Sequence, residues 1–350
     1  MIPTLRQDFW ISSLKGWVIG CVGALAFVTI GLPLPWFLGA MTATLLAAVG
    51  DVKFRAPSGI ANTVRAILGV AIGSAFGPEI LSRAGPMLLS LSLMVPWVFM
   101  VLGLGVAVFM RLFAFDPKTA FFASVPGGLT DMVTLAEEAG ANVRSVTLVQ
   151  LTRIALLVFA LPIYLHWHDG FDVSRSAFIA KARLSDMTLQ TSLELLIMGI
   201  AGFLGARQLG IAGASIVGPM ILSGLLFAIG STTARMPFEA MTLAQVALGI
   251  LLGAQFRGLT LKEFRTTVAA GLIFTTLLLL MTLAWAALVE QVSGFSGAKV
   301  LMSFAPGGQA EINLLAFALG IDVAFVALHH LVRLAVVMGL AQLLSQKFKL

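Results

Sequence analysis

The sequence SVPGGLTD at residues 124–131 has a counterpart, FAPGGQAE, at residues 304–311, which lies 180 positions further along the chain. Between residues 126–155 and 306–335, 12 of 30 aligned positions are identical, and the identities include the whole Pro-Gly-Gly run and one arginine. Shared hydrophobicity alone would match Leu with Leu and Val with Val, but it would not match prolines, glycines and arginines. We therefore predict an internal duplication, because self-similarity at a fixed spacing indicates a repeated structural unit.

The composition places this duplication in a membrane. Of the 350 residues, 59% are hydrophobic and 11% are charged, and the mean hydropathy is +1.00, whereas soluble domains carry about 25% charged residues. These values exclude an ordinary soluble enzyme and a disordered chain, and the single cysteine, Cys21, excludes a disulfide scaffold. The net charge of +6 comes largely from basic residues at the ends of apolar segments, where such residues set the orientation of membrane helices.

Ten apolar segments lie in two groups of five on either side of a polar interval. A membrane-spanning helix needs about 20 residues, so the shorter segments are expected to be surrounded by other helices. We predict a first membrane repeat over 1–165, a polar linker over 166–187 and a second membrane repeat over 188–350. The predicted spans are 15–31, 35–50, 59–77, 86–112 and 143–165 in the first half and 188–208, 212–230, 239–256, 266–290 and 323–344 in the second.

A stretch of mixed polarity precedes the last span of each half, at 116–140 and 296–320. If it enters and leaves on one side of the membrane, each half has five spans plus a re-entrant element, and the second half is inverted. If it crosses as a broken helix, each half has six spans and the halves are parallel. The positive-inside rule favours both topologies equally. We expect an all-α polytopic membrane protein with inverted repeats, because inverted repeats with broken helices recur among secondary transporters.

Each Pro-Gly-Gly run is predicted to break a helix. Proline lacks the N–H donor and disfavours helix in the residue before it, and glycine adopts left-handed or extended backbone at little cost. The helix that begins after the break presents free N–H groups and a positive dipole end, which bind anions. The alternative is a plain turn between two helices. The candidate substrate-binding residues at the breaks are Pro126, Gly127, Gly128, Thr130, Pro306, Gly307, Gly308 and Gln309.

Charged residues follow each break at matched positions. Asp131 and Glu311 are candidate ion-coupling residues, and an arginine, Arg153 or Arg333, follows each of them by 22 positions. A charge near the middle of an apolar segment costs about 2.5–3.5 kcal/mol on insertion scales. Either each arginine pairs with its acidic residue, or both arginines face a central cavity and bind a carboxylate or phosphate of the substrate. The candidate supporting polar residues are Gln150, Asn313 and His330.

Other patterns indicate what the site is not. The histidines form two pairs, at 166 with 168 and at 329 with 330, and neither pair has the spacing typical of zinc or copper sites. The chain has no phosphate-binding glycine loop and no nucleophile motif, and its linker is too short for a DNA-reading domain. We therefore predict no catalytic residue, no bound metal, no cofactor and no nucleic-acid partner.

With its two Pro-Gly-Gly runs, each followed by an acidic residue and then an arginine, the chain resembles the AbrB-duplication family of bacterial integral membrane proteins over nearly its whole length. Members of that family carry labels such as ammonia monooxygenase or membrane regulator of gene expression. The family is distantly similar to the cation/proton antiporter and anion transporter group. Single-copy relatives would pair antiparallel, which favours inverted repeats, and the resemblance implies a multi-pass protein of the bacterial inner membrane.

The function predicted from these observations is secondary transport of a small organic anion or amino-acid-like metabolite, coupled to protons or sodium. The substrate would bind between the two broken helices. The expected partners are this substrate and the lipid bilayer, and a second copy of the chain, in a homodimer, is a further candidate partner. One alternative is a membrane regulator that acts through a partner protein. The other is an ammonia monooxygenase-like oxidase, which lacks support from any metal-ligand pattern in the sequence.

Overall fold

The computed structural model describes residues 3–79, 84–171 and 182–348, and within these ranges the chain forms helices and no strand. Seven helices are long and apolar enough to cross a membrane, and three apolar helices of 10–17 residues lie among them. In chain order, five of these ten precede the linker and five follow it. The predicted all-α polytopic membrane fold is therefore confirmed.

The helices follow the predicted segments closely. Those of the first half are α1 (Pro3–Ile30), α2 (Ala40–Val49), α3 (Ala61–Gly73), α4 (Ala84–Ser92), α5 (Met94–Phe113), α6 (Pro117–Ser124), α7 (Leu129–Glu138) and α8 (Val143–Asp169). Those of the second half are α9 (Leu189–Gln208), α10 (Ala214–Ala228), α11 (Phe238–Gly253), α12 (Ala269–Ser293), α13 (Gly297–Phe304), α14 (Gln309–Ala318) and α15 (Val323–Phe348). The first half thus ends at Asp169, four residues into the predicted linker, whose residues 172–181 lie outside the described ranges.

The mixed stretch of the first half is a helical hairpin of α6 and α7. Lys118 Nζ, at the start of α6, donates to the carbonyl of Ala139 at 2.9 Å, just beyond the end of α7. The N–H of Asn142 donates to Thr119 Oγ1 at 2.8 Å. These two bonds join the entrance of the stretch to its exit, so the chain turns back at the Pro-Gly-Gly run instead of continuing across.

The second half repeats this arrangement with α13 and α14. Lys299 Nζ forms an ion pair with Asp322 at 3.0 Å, and these two residues align with Thr119 and Asn142. Besides its hairpin, each half has five apolar helices. If all five cross the membrane and the hairpin does not, the halves have opposite orientations.

The two halves interlock through their small residues. Helix α3 packs on α10, and the aligned pair, α11 and α2, packs in the same way. A Cβ added to Gly73 would lie 2.5 Å from the carbonyl oxygen of Met220, and one added to Gly253 would lie 2.6 Å from that of Met41. The glycine stripes therefore bring backbones from opposite halves into direct contact, as small residues do between membrane helices.

An aromatic cluster fills part of the core between α5, α12 and α13. Trp97 stacks on Trp285 with a centroid distance of 5.7 Å, and Phe304 contacts Trp97 edge-on. Trp97 and Phe304 are fully buried. Because Trp285 belongs to the second half, this cluster adds to the interlocking of the halves and fixes the position of the second hairpin.

Candidate functional site

The tips of the two hairpins have nearly the same backbone. Gly128 and Gly308, which precede α7 and α14, have φ values of −66° and −67°, so both are extended and not left-handed. Glycine is needed there for space, because a Cβ on Gly128 would lie 2.7 Å from Asp131 Oδ2 and one on Gly308 would strike the Glu311 carboxylate. The break itself is present at both predicted places, and its glycines make room for an acidic side chain.

Asp131 and Glu311 therefore lie against the first turns of their own helices. Each is the third residue of its helix, where a carboxylate is favoured by the positive end of the helix dipole. Glu311 is only 6% exposed. The two N-terminal turns that the sequence suggested as anion sites thus already face a carboxylate of this chain. The Glu311 carboxylate accepts from its own backbone N–H, so a substrate anion at that turn would compete with it, whereas the Asp131 carboxylate accepts from the backbone N–H of Gly213.

Arg153 and Arg333 hold the two tips from behind. Arg153 Nη1 donates to the carbonyl of Val125 at 3.1 Å, and Arg333 Nη1 donates to that of Ala305 at 2.7 Å. Both acceptors are the residues just before the prolines. Among the described residues, neither guanidinium pairs with a carboxylate, so the ion pairs considered above with Asp131 and Glu311 are not formed.

Side chains one turn earlier make matched contacts of their own. Gln150 Nε2 donates to the carbonyl of Phe122 at 3.0 Å, and His330 Nε2 lies 3.1 Å from the carbonyl oxygen of Met302. Both side chains are fully buried. Asn313 is also fully buried, and its Nδ2 donates to the carbonyl of Gln309 at 2.9 Å.

The two arginines differ in their exposure to a central cavity. Arg333 donates a second bond, from Nη2 to the carbonyl of Gly307 at 2.9 Å, and it lines the cavity. Arg153 makes one such bond, is fully buried and is absent from the lining. The second hairpin is therefore held by a guanidinium that a ligand can reach, and the first by one that a ligand cannot reach here.

The cavity itself has a volume of about 700 Å³ and lies between the two hairpin tips. Polar residues at the ends of α3, α9 and α11, namely Asn62, Arg207 and Gln255, mark one part of its wall. The predicted site residues that line it are Pro126, Gly127, Gly128, Asp131, Gly308, Gln309, Glu311, His330 and Arg333. Those behind the lining are Gln150, Arg153, Pro306, Gly307 and Asn313, and the side chain of Thr130 lies outside the described residues.

Arg65 was not among the predicted site residues. Arg65, on α3, is half-buried and lines the cavity, and it attracts the carboxylates of Asp131 and Glu311. Its aligned residue, Gln245, is fully buried and its Oε1 has no hydrogen-bond partner among the described residues. The duplication therefore offered no matched arginine that would have drawn attention to position 65. Its position near the start of an apolar segment was the only available signal.

Two buried nitrogens of the lining residues have no hydrogen-bond partner among the described residues. They are Nε of Arg333 and Nδ1 of His330. Buried polar atoms are nearly always hydrogen-bonded in folded proteins, but both atoms are shielded from solvent, as is the matching Nε of Arg153 behind the lining. In the same described part of the chain, no group of three or more His, Cys, Asp or Glu residues could hold a metal ion.

Residues 36–349 match the AbrB family, which is described as "Transition state regulatory protein AbrB". The chain is 25% identical to "Uncharacterized protein YhjN" of Bacillus subtilis (strain 168), with 96% of this chain and 91% of that protein covered. It is 23% identical to "Putative regulator AbrB" of Escherichia coli (strain K12), with 91% and 90% covered. The family match covers most of the chain, and this protein therefore belongs to the AbrB family.

Proposed function

We propose that this protein is a secondary transporter of the bacterial inner membrane that carries a small organic anion or amino-acid-like metabolite. The observation that supports the proposal is the cavity between the two hairpin tips, where charged groups of both signs converge. Its volume of about 700 Å³ lies within the range of about 300–1,000 Å³ that is usual for small-molecule sites.

The broken backbone at the cavity supports transport over a purely structural role. Non-helical backbone at membrane depth is tolerated only where it is buried in protein or lines a wet cavity. In known secondary transporters, such breaks surround the substrate site near the middle of the bilayer. Gly128 and Gly308 bring a break from each half to one cavity, so a small movement of one half against the other would change both walls of the site.

Each group at the cavity has a role in this proposal. Arg333 and Gln309 contact the substrate, and His330 lines the same wall. Asp131 and Glu311 bind the coupling proton or sodium ion. Arg153 acts as a positioning residue, because it holds the first tip without facing the cavity.

The test is transport by the purified protein in proteoliposomes on a solid-supported membrane, with acetate, butyrate, succinate, citrate, glutamate and phosphate as solutes. We expect a charge movement with at least one carboxylate and a loss of about tenfold or more in Arg333→Ala, since one charged hydrogen bond contributes about 1.5–3 kcal/mol. Arg111→Ala is the matched control, because Arg111 is exposed in the last turn of α5. Currents from Arg333→Ala that equal those of the wild type would contradict the proposed site, and the absence of both a current and the uptake of radiolabelled solutes would contradict transport of these anions.

The name of the Escherichia coli relative suggests the second candidate, a membrane regulator that acts through a partner protein. Co-purification in mild detergent distinguishes this candidate from a transporter. A stoichiometric soluble partner, together with no solute-dependent current, would favour the regulator.

A further inference from the structure

We propose that Arg65 is the residue that binds the negative group of the substrate, and that the cavity selects a carboxylate with a single negative charge. This inference rests on the proposed function, since it names the substrate class of that same cavity. It moves the principal anion contact from the two arginines that the duplication emphasises to one that the duplication does not repeat.

The first argument is that Arg65 is free where the other arginines are occupied. Arg153 and Arg333 donate to carbonyl groups at the hairpin tips. Arg65 lines the cavity and makes no hydrogen bond or ion pair with any residue that the structure describes. A guanidinium offers five N–H donors in a fixed fork that fits a carboxylate with two parallel bonds. The whole fork of Arg65 is therefore available to a ligand.

The second argument is the balance of charges. Apart from the exposed Arg207, three guanidinium groups lie at the cavity wall or directly behind it, on Arg65, Arg153 and Arg333, and they face the carboxylates of Asp131 and Glu311. One positive charge is therefore left without a negative partner. An unpaired charge away from water is costly, and one monovalent anion would neutralise it. While both carboxylates are ionised and hold no coupling ion, a divalent anion would leave a negative charge in excess.

The remaining charged groups nearby do not alter this balance. Arg207 is exposed at the wall of the cavity, where water and salt screen it. His330 lies against the Met302 carbonyl, and a neutral imidazole is sufficient for that bond. His329 is bonded to Ser90 and to the carbonyl of Phe325, away from the lining.

The third argument is the position of Arg65 relative to the carboxylates. Arg65 attracts both Asp131 and Glu311 without forming an ion pair with either. A substrate carboxylate can therefore reach Arg65 without first breaking a salt bridge. Arg333, in the same lining, adds positive charge to the surroundings of that ligand.

The experiment measures binding, so it does not depend on transport. The probes are butyrate, succinate and butyramide, which have four-carbon chains and carry one, two and no negative charges at neutral pH. Their effect on the thermal midpoint of the detergent-purified protein is measured, together with the phenylglyoxal labelling of Arg65, mapped by peptide mass spectrometry. We expect butyrate to raise the midpoint and to protect Arg65, succinate to do both more weakly, and butyramide to do neither.

Arg65→Gln should bind butyrate about 100-fold more weakly, since it loses two charge-assisted hydrogen bonds. Arg65→Lys keeps the charge without the fork, so it should fall between Arg65→Gln and the wild type. Arg111→Gln, which removes an exposed arginine, should bind like the wild type. Equal effects of butyramide and butyrate, tighter binding of succinate, the absence of any butyrate effect, or full binding by Arg65→Gln would each overturn the proposal. Transport of an anion by Arg65→Gln at the wild-type rate would overturn this inference and leave the transporter proposal intact. Butyrate binding without any transport would contradict the transporter proposal and leave the assignment of Arg65 intact.

Discussion

Arg153 and Arg333, which lie 180 positions apart, each donate a hydrogen bond to the carbonyl of the residue 28 positions earlier in the chain. In both cases that residue immediately precedes the proline of a Pro-Gly-Gly run. A break in a helix leaves carbonyl groups without their usual N–H partners, and inside a membrane such groups are costly. The two arginines therefore supply, from a neighbouring helix, donors that the broken helices lack.

The first prediction compares Arg153→Met with Arg333→Met. Arg333 makes two bonds to carbonyl groups of its tip and Arg153 makes one. Because a hydrogen bond to a charged group contributes about 1.5–3 kcal/mol, Arg333→Met should lose that much more unfolding free energy than Arg153→Met. Reversible unfolding in mixed micelles measures both variants. Equal losses, or a larger loss for Arg153→Met, would contradict the assignment of two bonds to Arg333.

The second prediction concerns the contact between the halves. Gly73→Ala should lower the unfolding free energy by about 1–3 kcal/mol, because overpacking at a tight contact forces the backbones apart. Gly103→Ala is the matched control, since Gly103 also lies within a helix but has no atom within 4 Å of an added Cβ. Alanine there should raise the unfolding free energy by up to about 0.5–1 kcal/mol through helix propensity. If both variants unfold alike, then α3 and α10 are not in contact as described.

The third prediction uses a position where the two halves differ. Helices α5 and α12 both end on a left-handed residue, which is Ala114 with φ of 52° in one half and Gly294 with φ of 72° in the other. Left-handed backbone costs an L-residue about 1–2 kcal/mol, and glycine would relieve this cost. Part of the stabilisation is offset by the greater conformational freedom of glycine in the unfolded chain. Ala114→Gly should therefore stabilise the protein by about 0.5–1 kcal/mol.

The reciprocal change, Gly294→Ala, should destabilise the protein by a similar amount. No atom lies within 4 Å of a Cβ at Gly294, so backbone strain is the sole cost of the substitution. Thermal unfolding of the two variants in parallel shows whether Ala114→Gly stabilises the protein and Gly294→Ala destabilises it. A stabilising Gly294→Ala would show that the end of α12 is not left-handed.

The fourth prediction tests the orientation of the halves. Four variants of a Cys21→Ser background each carry one cysteine. It replaces Asp116 or Glu137, at the two ends of the first hairpin, or Ser296 or Leu319, at the two ends of the second. With a membrane-impermeant maleimide, the first two should react from one side of the membrane and the last two from the other. Right-side-out and inside-out vesicles provide the two sides.

Labelling of Asp116→Cys and Glu137→Cys from opposite sides would mean that the first stretch crosses the membrane. Labelling of all four positions from one side would mean that the hairpins are re-entrant but the repeats are parallel. Either result would remove the inverted topology on which the transporter proposal draws.

The sequence predicted the helices, the breaks and the matched arginines, because each leaves a local signature. Apolar length marks a helix, and a proline followed by two glycines marks a break. The re-entrant hairpin could not be chosen from sequence, because it depends on contacts such as that of Lys118 with Ala139, which join residues 21 positions apart. Counting basic residues did not distinguish the two topologies, since both place the same number of them inside and the same smaller number outside.

The site was predicted in part. The duplication identified both tips, but it gave equal weight to Arg153 and Arg333, and the structure exposes only the second to the cavity. It also missed Arg65, because a residue that occurs in one repeat leaves no periodic signal. Both alternatives for the arginines named an anionic partner, either the acidic residue of the same half or a group of the substrate, whereas in the structure the guanidinium groups donate to carbonyl groups. Backbone acceptors have no residue type and cannot be read from a sequence.

The packing of helices from one half on helices of the other has a consequence for biosynthesis. Helices α2 and α3 are short for a bilayer, and the helices that cover them, α11 and α10, end only at Gly253 and Ala228. A ribosome therefore releases more than two hundred residues of this chain before the first half meets the surfaces that enclose it. Until then the nascent protein depends on the insertion machinery to shelter two short helices, and a fragment that stopped at the linker would be a target for membrane proteases.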